Sequence, residues 1–175
     1  MQKVNRPQGK WRNVALVSIS LLVILADQLS KTWIRANLTR GQELFDTGFF
    51  QIVRAQNTGA AFGIFQNQSL ALTIVAFIGA IIILLCGFFF YRHWSFLGSM
   101  LAKSALGLIL GGTIGNLIDR LRLGYITDFI DFKVWPAFNV ADAAVTIGVI
   151  IFVCYILYLS IVEKRQDGQD IRLGG

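Results

Sequence analysis

Two aspartates stand in apolar surroundings where a charge needs a reason. Asp128 lies in Tyr125-Ile126-Thr127-Asp128-Phe129-Ile130, and Asp142 in Pro136-Ala137-Phe138-Asn139-Val140-Ala141-Asp142. Acids at or within a bilayer usually pair, face a cavity or do chemistry. If these carboxylates meet in a low-dielectric site, they cannot both ionise easily and come to share a proton. Asn139 is a good helix N-cap, which places Asp142 in the first helical turn, where a charged carboxylate is favoured. Asp128 is then the acid partner, although members of a coupled pair can exchange roles. A charged aspartate can activate water while a protonated one donates to a carbonyl oxygen, a combination able to hydrolyse a peptide bond. Spacing alone equally allows Asp142 to be a simple cap and Asp128 a solvated loop acid.

Other chemistries find little support. His93 is the only histidine, beside Arg92 in a short polar gap, with no neighbouring nucleophile or metal ligands. Cys86 and Cys154 both sit inside apolar runs, which suits inert packing. No zinc-protease, P-loop or dinucleotide-binding motif occurs, so neither a metal nor a cofactor is expected. Asp27 precedes Lys31 by four residues and reads as a structural ion pair on one helix face. Adjacent Ser30 and Lys31 point about 100° apart on a helix, so a Ser-Lys nucleophile is disfavoured. Asp131 reads as a surface charge; a cation site would need a third ligand. Asp119-Arg120 reads as an ion-pairing and headgroup-anchoring element, with Arg120 also able to hold a substrate carbonyl or a lipid phosphate.

The elements that position these residues follow from composition. The 175 residues are 55% apolar and only 15% charged, with a mean hydropathy of +0.61. Soluble domains carry roughly 25% charge, so the chain reads as an integral membrane protein. The net charge of +6 lacks the basic, aromatic-interleaved cluster of a nucleic-acid surface, and no nucleic acid is expected as a partner. Four apolar segments, at about 12–34, 69–91, 99–122 and 139–161, have the length of membrane-spanning helices. A cleaved leader is disfavoured for the first, because no small-x-small site follows its apolar run. The basic N-terminus, the Arg92 turn and Glu163-Lys164-Arg165 place both termini in the cytoplasm. Trp11, Trp33, Tyr91, Trp94, Trp135 and Tyr158 fall near segment ends, as interfacial aromatics do.

The 35–68 loop and the 123–138 connection then share the outer face. Phe49 to Ala55 reads as a strand, Asn57-Thr58-Gly59 as a turn, and Ala60 to Phe65 as an apolar flap. A small sheet resting on the outer helix ends would satisfy its backbone groups. In the third segment Gly107, Gly111 and Gly115 form a small-residue stripe for close helix packing. Gly112, Asn116 and Arg120 form an adjoining stripe, and Gly124 is a plausible helix stop. The expected fold is therefore an all-α polytopic membrane protein with a small extracytoplasmic β-sheet, forming one integral membrane domain over 1–175.

Five motifs in order resemble those of bacterial lipoprotein signal peptidases, the signal peptidase II family. They are Asp27-Gln28-Leu29-Ser30-Lys31, Asn57-Thr58-Gly59-Ala60-Ala61-Phe62, Gly111 to Arg120, Thr127-Asp128-Phe129 and Phe138-Asn139-Val140-Ala141-Asp142. Ala143 departs from the Ser common after the second catalytic acid. The resemblance implies an aspartic endopeptidase of the bacterial inner membrane, cutting diacylglyceryl-modified prolipoproteins before the lipidated Cys. It implies Asp128 and Asp142 as the catalytic pair, with Asn57, Gly59, Gly112, Asn116, Asp119, Arg120 and Asn139 as substrate-binding or supporting residues. Membrane phospholipid is the other expected partner, a monomer the expected state, and the outer face the expected side of the site. The 49–65 loop is expected to clamp the substrate there. Two other classes compete: a small proton-coupled transporter, which should show broken helices or repeated halves, and a non-catalytic assembly factor, which leaves the two acids unexplained.

Overall fold

The structure, a computed structural model, describes residues 8–59, 68–88 and 95–173. Four helices carry the fold: α1 (Gln8–Asn37), α2 (Ser69–Phe88), α3 (Met100–Leu123) and α4 (Val140–Leu173). All four are long and apolar enough to cross a membrane. Their outward residues are apolar: Leu21 and Leu25 of α1, Ile74 and Val75 of α2, and Ile150 and Leu157 of α4 are exposed. Such faces are at home only against hydrocarbon. The expected bounds are close to those observed, apart from 89–91, which lie outside the described residues. Helix α1 runs three residues past the expected end, and α4 continues through the charged tail, whose Glu, Lys, Arg and Gln are good helix formers.

Helix α3 is the buried centre, packed against α1, α2 and α4. Over half of its apolar window is buried, against 17% or less in each of the others. The glycine stripe explains the approach to α1. A Cβ on Gly107 would stand 2.9 Å from the Leu16 carbonyl oxygen, and one on Gly111 2.8 Å from that of Ser20. Ser20 Oγ adds a 3.0 Å hydrogen bond to the Gly107 carbonyl at the same crossing. On the neighbouring face, Gly112 rests directly on the Ala141 carbonyl of α4. Ser99 caps the start of α3 by accepting from the Ala102 N–H, and Gly124 ends it in the left-handed region at φ 78°, as expected.

A three-stranded antiparallel sheet, in the order β1-β2-β3, is built from the connections: β1 (Glu43–Asp46), β2 (Gln51–Asn57) and β3 (Ile126–Asp131). The expected small sheet is present, and the strand expected at 49–55 is its β2, shifted by two residues; β1 and β3 form in segments for which the sequence predicts no strand. In the β2–β3 register Ala55 faces Asp128 and Asn57 faces Ile126, with a bulge between Ile52 and Ala55. Phe138 then bridges to Ile130, which brings the entry of α4 back beside β3. Ile34 and Leu38 at the end of α1 pack against Phe129, seating the sheet on the helix ends. The expected flap at 60–65, and His93, Tyr91 and Trp94, lie outside the described residues.

Candidate active site

Asp128 belongs to the sheet and Asp142 to the first turn of α4, and both face one cavity of about 1420 Å³. Asn139 links them. Its Oδ1 accepts the Asp142 N–H at 3.0 Å, and Asp142 Oδ2 accepts the Asn139 N–H at 3.3 Å. This reciprocal arrangement is a capping box, so the motif that starts α4 also aims its acid. With Oδ1 committed to the cap, Asn139 Nδ2 must donate elsewhere, and it donates to Asp128 Oδ1 at 2.7 Å.

The remaining carboxylate oxygens are held the same way. Asn57 Oδ1 accepts the Gly59 N–H at 2.9 Å, leaving Nδ2 to donate to Asp128 Oδ2 at 3.0 Å. Asn116 Nδ2 donates to Asp142 Oδ1 at 2.7 Å. Asp128 is 2% exposed. Its burial, followed by the nearby Asp142 charge, pushes its pKa up to about 7, although Asn57, Asn139 and Lys31 pull the other way. A carboxyl group that exchanges its proton near neutral pH can serve as a general acid and a general base in turn.

Arg120 lines the same cavity, interacts electrostatically with both acids, and donates to the Gly59 carbonyl at 3.1 Å. Gly59 thereby holds the turn between β2 and the cavity. Gly112 is absent from the cavity wall; its lack of a side chain lets α3 meet α4 just before Asp142. Asp119 also points away from the cavity. At 1% exposed it reaches no headgroup, and its partners are Arg35 at 3.2 Å and Lys31 at 3.7 Å rather than adjacent Arg120. It also accepts the Thr127 N–H at 2.9 Å, fixing the residue before Asp128.

Asp27 and Lys31 form a fully buried pair at 2.8 Å. The other oxygen of Asp27 accepts the Ala141 N–H at 3.0 Å, so α1 caps the start of α4. Sequence reasoning missed Arg35 and Thr127, whose side chains meet at 3.0 Å beside Asp119. The spacing of Asp27, Lys31 and Arg35 by four along one helix was the available signal. Asp131 lies three residues from Asp128 along a strand and therefore on the other face. It accepts from Gln51 Nε2 at 2.6 Å and from the Lys133 N–H at 2.7 Å. Among the described residues, no three His, Cys, Asp or Glu side chains group as metal ligands.

Four helices long and apolar enough to cross a membrane, with a cavity whose polar end holds two acids, define a multi-pass membrane protein. A sequence model of signal peptidase (SPase) II matches residues 19–158, and the chain belongs to that family, one of peptidases. A lipoprotein signal peptidase of Dehalococcoides mccartyi strain 195 is 50% identical over 147 residues, covering 84% of this chain and 90% of the relative. One from Moorella thermoacetica is 43% identical over 150 residues, covering 85% and 96%. A solved bacterial membrane enzyme, 28% identical, superposes with a TM-score of 0.73 over 82% of this chain and 87% of the other.

Proposed function

We propose that this chain is an aspartic endopeptidase that removes signal peptides from diacylglyceryl-modified prolipoproteins, cutting before the lipidated Cys. The observation that carries the reading is the pair of acids facing one cavity, with all four carboxylate oxygens held by hydrogen-bond donors. Asp142 takes a proton from water as the water oxygen attacks the scissile carbonyl carbon. Asp128 gives its proton to the carbonyl oxygen, so a neutral gem-diol forms. A carboxyl group then protonates the leaving nitrogen as the C–N bond breaks, and the other acid recovers the diol proton. Signal-peptide carboxylate and the new N-terminal Cys are released, and the pair again holds one proton.

The cavity wall explains how such a substrate would enter. Its polar end is formed by Asn57, Asn116, Arg120, Asp128 and Asp142, and its flank by apolar residues of α2, α3 and α4, including Leu72, Val75, Ile83, Ile109 and Val145. A substrate with a membrane-embedded leader and acyl tails can slide in sideways and bring its cleavage point to the acids. Arg120 stands where charge develops on the reacting carbonyl. The working form is one domain, monomeric in phospholipid of the bacterial inner membrane. Both termini are cytoplasmic, and the sheet and acids lie near the outer face.

The test incubates purified protein with a lipidated prolipoprotein and with its unlipidated form, and maps products by mass spectrometry. The expected result is cleavage of the lipidated form alone, with the lipidated Cys as the new N-terminus. Equal cleavage of both forms, or a cut elsewhere, would contradict the reading.

A further inference from the structure

Helix α1 sends three ionisable residues, Asp27, Lys31 and Arg35, toward the site from one face. None of them lines the cavity. Lys31 is fully buried, and its ammonium group meets three acceptors: Asp27 Oδ2 and Asn116 Oδ1, each at 2.8 Å, and Asp119 Oδ2 at 3.7 Å. Burying a cation at this depth is costly unless its hydrogen bonds are met, and an apolar residue could fill the same space. The position therefore calls for an account beyond packing.

The contact with Asn116 provides one. An asparagine amide can face either way, because its oxygen and nitrogen ends have the same shape but opposite hydrogen-bonding character. Lysine has three donors and no acceptor, so only the Asn116 oxygen can face Lys31. Asn139 Nδ2 reaches the same oxygen at 3.2 Å and reinforces that choice. The nitrogen end is thereby turned to Asp142 Oδ1 at 2.7 Å. In the opposite pose, an NH2 group would confront an ammonium, and a carbonyl oxygen would confront a carboxylate.

Resting on the aspartic reading above, we infer that Lys31 is a positioning residue for the reaction, acting through Asn116 to aim the amide donor that holds Asp142. Its charge also bears on both acids. Asp27 on α1, Arg120 on α3 and Asp128 on β3 also interact electrostatically with Asp142, Arg40 lines the same cavity, and Asp119 and Arg35 stand behind Lys31. Arg35 is spoken for by Asp119 and Thr127, and Arg120 by Gly59, which leaves Lys31 as the cation hydrogen-bonded to Asn116.

The experiment compares wild type, Lys31→Met, Asn116→Ala, the double variant and Asp142→Asn in cleavage of a lipidated prolipoprotein, with kcat, KM and a pH profile for each active form. Removing Lys31 alone strands Asp27, so Asp27→Asn with Lys31→Met is included as a charge-balanced variant that keeps an oxygen for the Ala141 N–H. Folding is followed by circular dichroism and thermal unfolding. The Lys31→Met change, alone or balanced, should lower kcat at least about tenfold while KM stays within about threefold. In Lys31→Met alone the acid limb of the profile should rise by roughly half to one pH unit, because a carboxylate deprived of a cation holds its proton more tightly, and in the balanced variant, which also removes the opposing Asp27 charge, it should rise less. In the Asn116→Ala background, the same change should cost less than about threefold more, since the amide it orients is gone.

A purely structural lysine would lower the active fraction, leave the pH profile in place and add its effect to that of Asn116→Ala. That result overturns the inference, as does failure of the balanced variant to fold. If Asp142→Asn retains activity, the aspartic reading itself falls. If Asp142→Asn is inactive while Lys31→Met keeps the wild-type kcat and profile, only the positioning role falls.

Discussion

Replacing Asp128 by Asn should make the protein less stable in acid and more stable in base. In the native state the Asp128 carboxyl titrates at about 7, against an ordinary value of 3.8, chiefly because it is buried and next because Asp142 is near. Below 3.8 the group is protonated in both native and unfolded chains. Between 3.8 and about 7 the unfolded chain loses the proton and the native one keeps it, so wild-type stability declines as pH rises. Above about 7 both are ionised and the decline stops. At 1.36 kcal/mol for each pKa unit, this group removes about 4 kcal/mol across the window.

An asparagine at 128 has no such titration. It offers one side-chain oxygen where Asp128 offers two, so either Asn57 or Asn139 loses its partner, at a cost of about 1 kcal/mol. The variant should therefore be about 1 kcal/mol less stable at pH 3.5, cross the wild type near about pH 4.5, and be roughly 3 kcal/mol more stable at pH 8. Unfolding midpoints in detergent across this range, with cleavage measured on the same samples, provide the assay. Cleavage should be lost at every pH. Parallel stability curves for the two proteins would refute the reasoning, because they would mean that Asp128 binds its proton equally in both states.

Asn139→Ala removes the α4 cap and the Asp128 donor together. It should lower stability by about 1–2 kcal/mol and kcat at least about tenfold, whereas wild-type kcat would deny Asn139 a part in holding the acids. Gly111→Val would place new carbons against the Ser20 carbonyl and Val23, where even a Cβ stands at 2.8 and 2.7 Å. Its expected cost is about 1–3 kcal/mol in thermal unfolding, and an unchanged midpoint would show that α1 and α3 can separate freely. Ser99→Ala should cost about 1 kcal/mol through loss of the α3 cap while leaving kcat unchanged, and a fallen kcat would link the cap to the site.

The parts of the site governed by local rules were legible in the sequence. Asn139 three residues before Asp142 is a local capping pattern, and glycines every four residues pack helices wherever they meet. The two acids stood out because charge is rare in these segments. The sheet was harder to read because β2 pairs with a strand more than seventy residues later. The run Ile126 to Ile130 places polar Thr127 and Asp128 side by side, followed by apolar Phe129 and Ile130, so it lacks the alternation that marks a half-buried strand. Arg35 reads as a loop residue because the apolar segment fades at residue 34, although α1 continues to Asn37 and carries it to Asp119. The choice by Asp119 of Arg35 and Lys31 over Arg120 follows from helix geometry: adjacent residues diverge, and α1 faces the side that Asp119 occupies. Asn57 and Asn139 are oriented by backbone N–H groups two and three residues away, but the orientation of Asn116 depends on Lys31 and Asp142 from two other helices, and no local pattern announces those.

The claim at the centre is that Asp128 and Asp142 together perform the hydrolysis. The most direct measurement is cleavage of a lipidated prolipoprotein by purified, folded Asp128→Asn and Asp142→Asn proteins beside wild type. Both variants should retain wild-type helicity and substrate binding and lose kcat by at least about a thousandfold. Wild-type turnover by either folded variant would contradict the account.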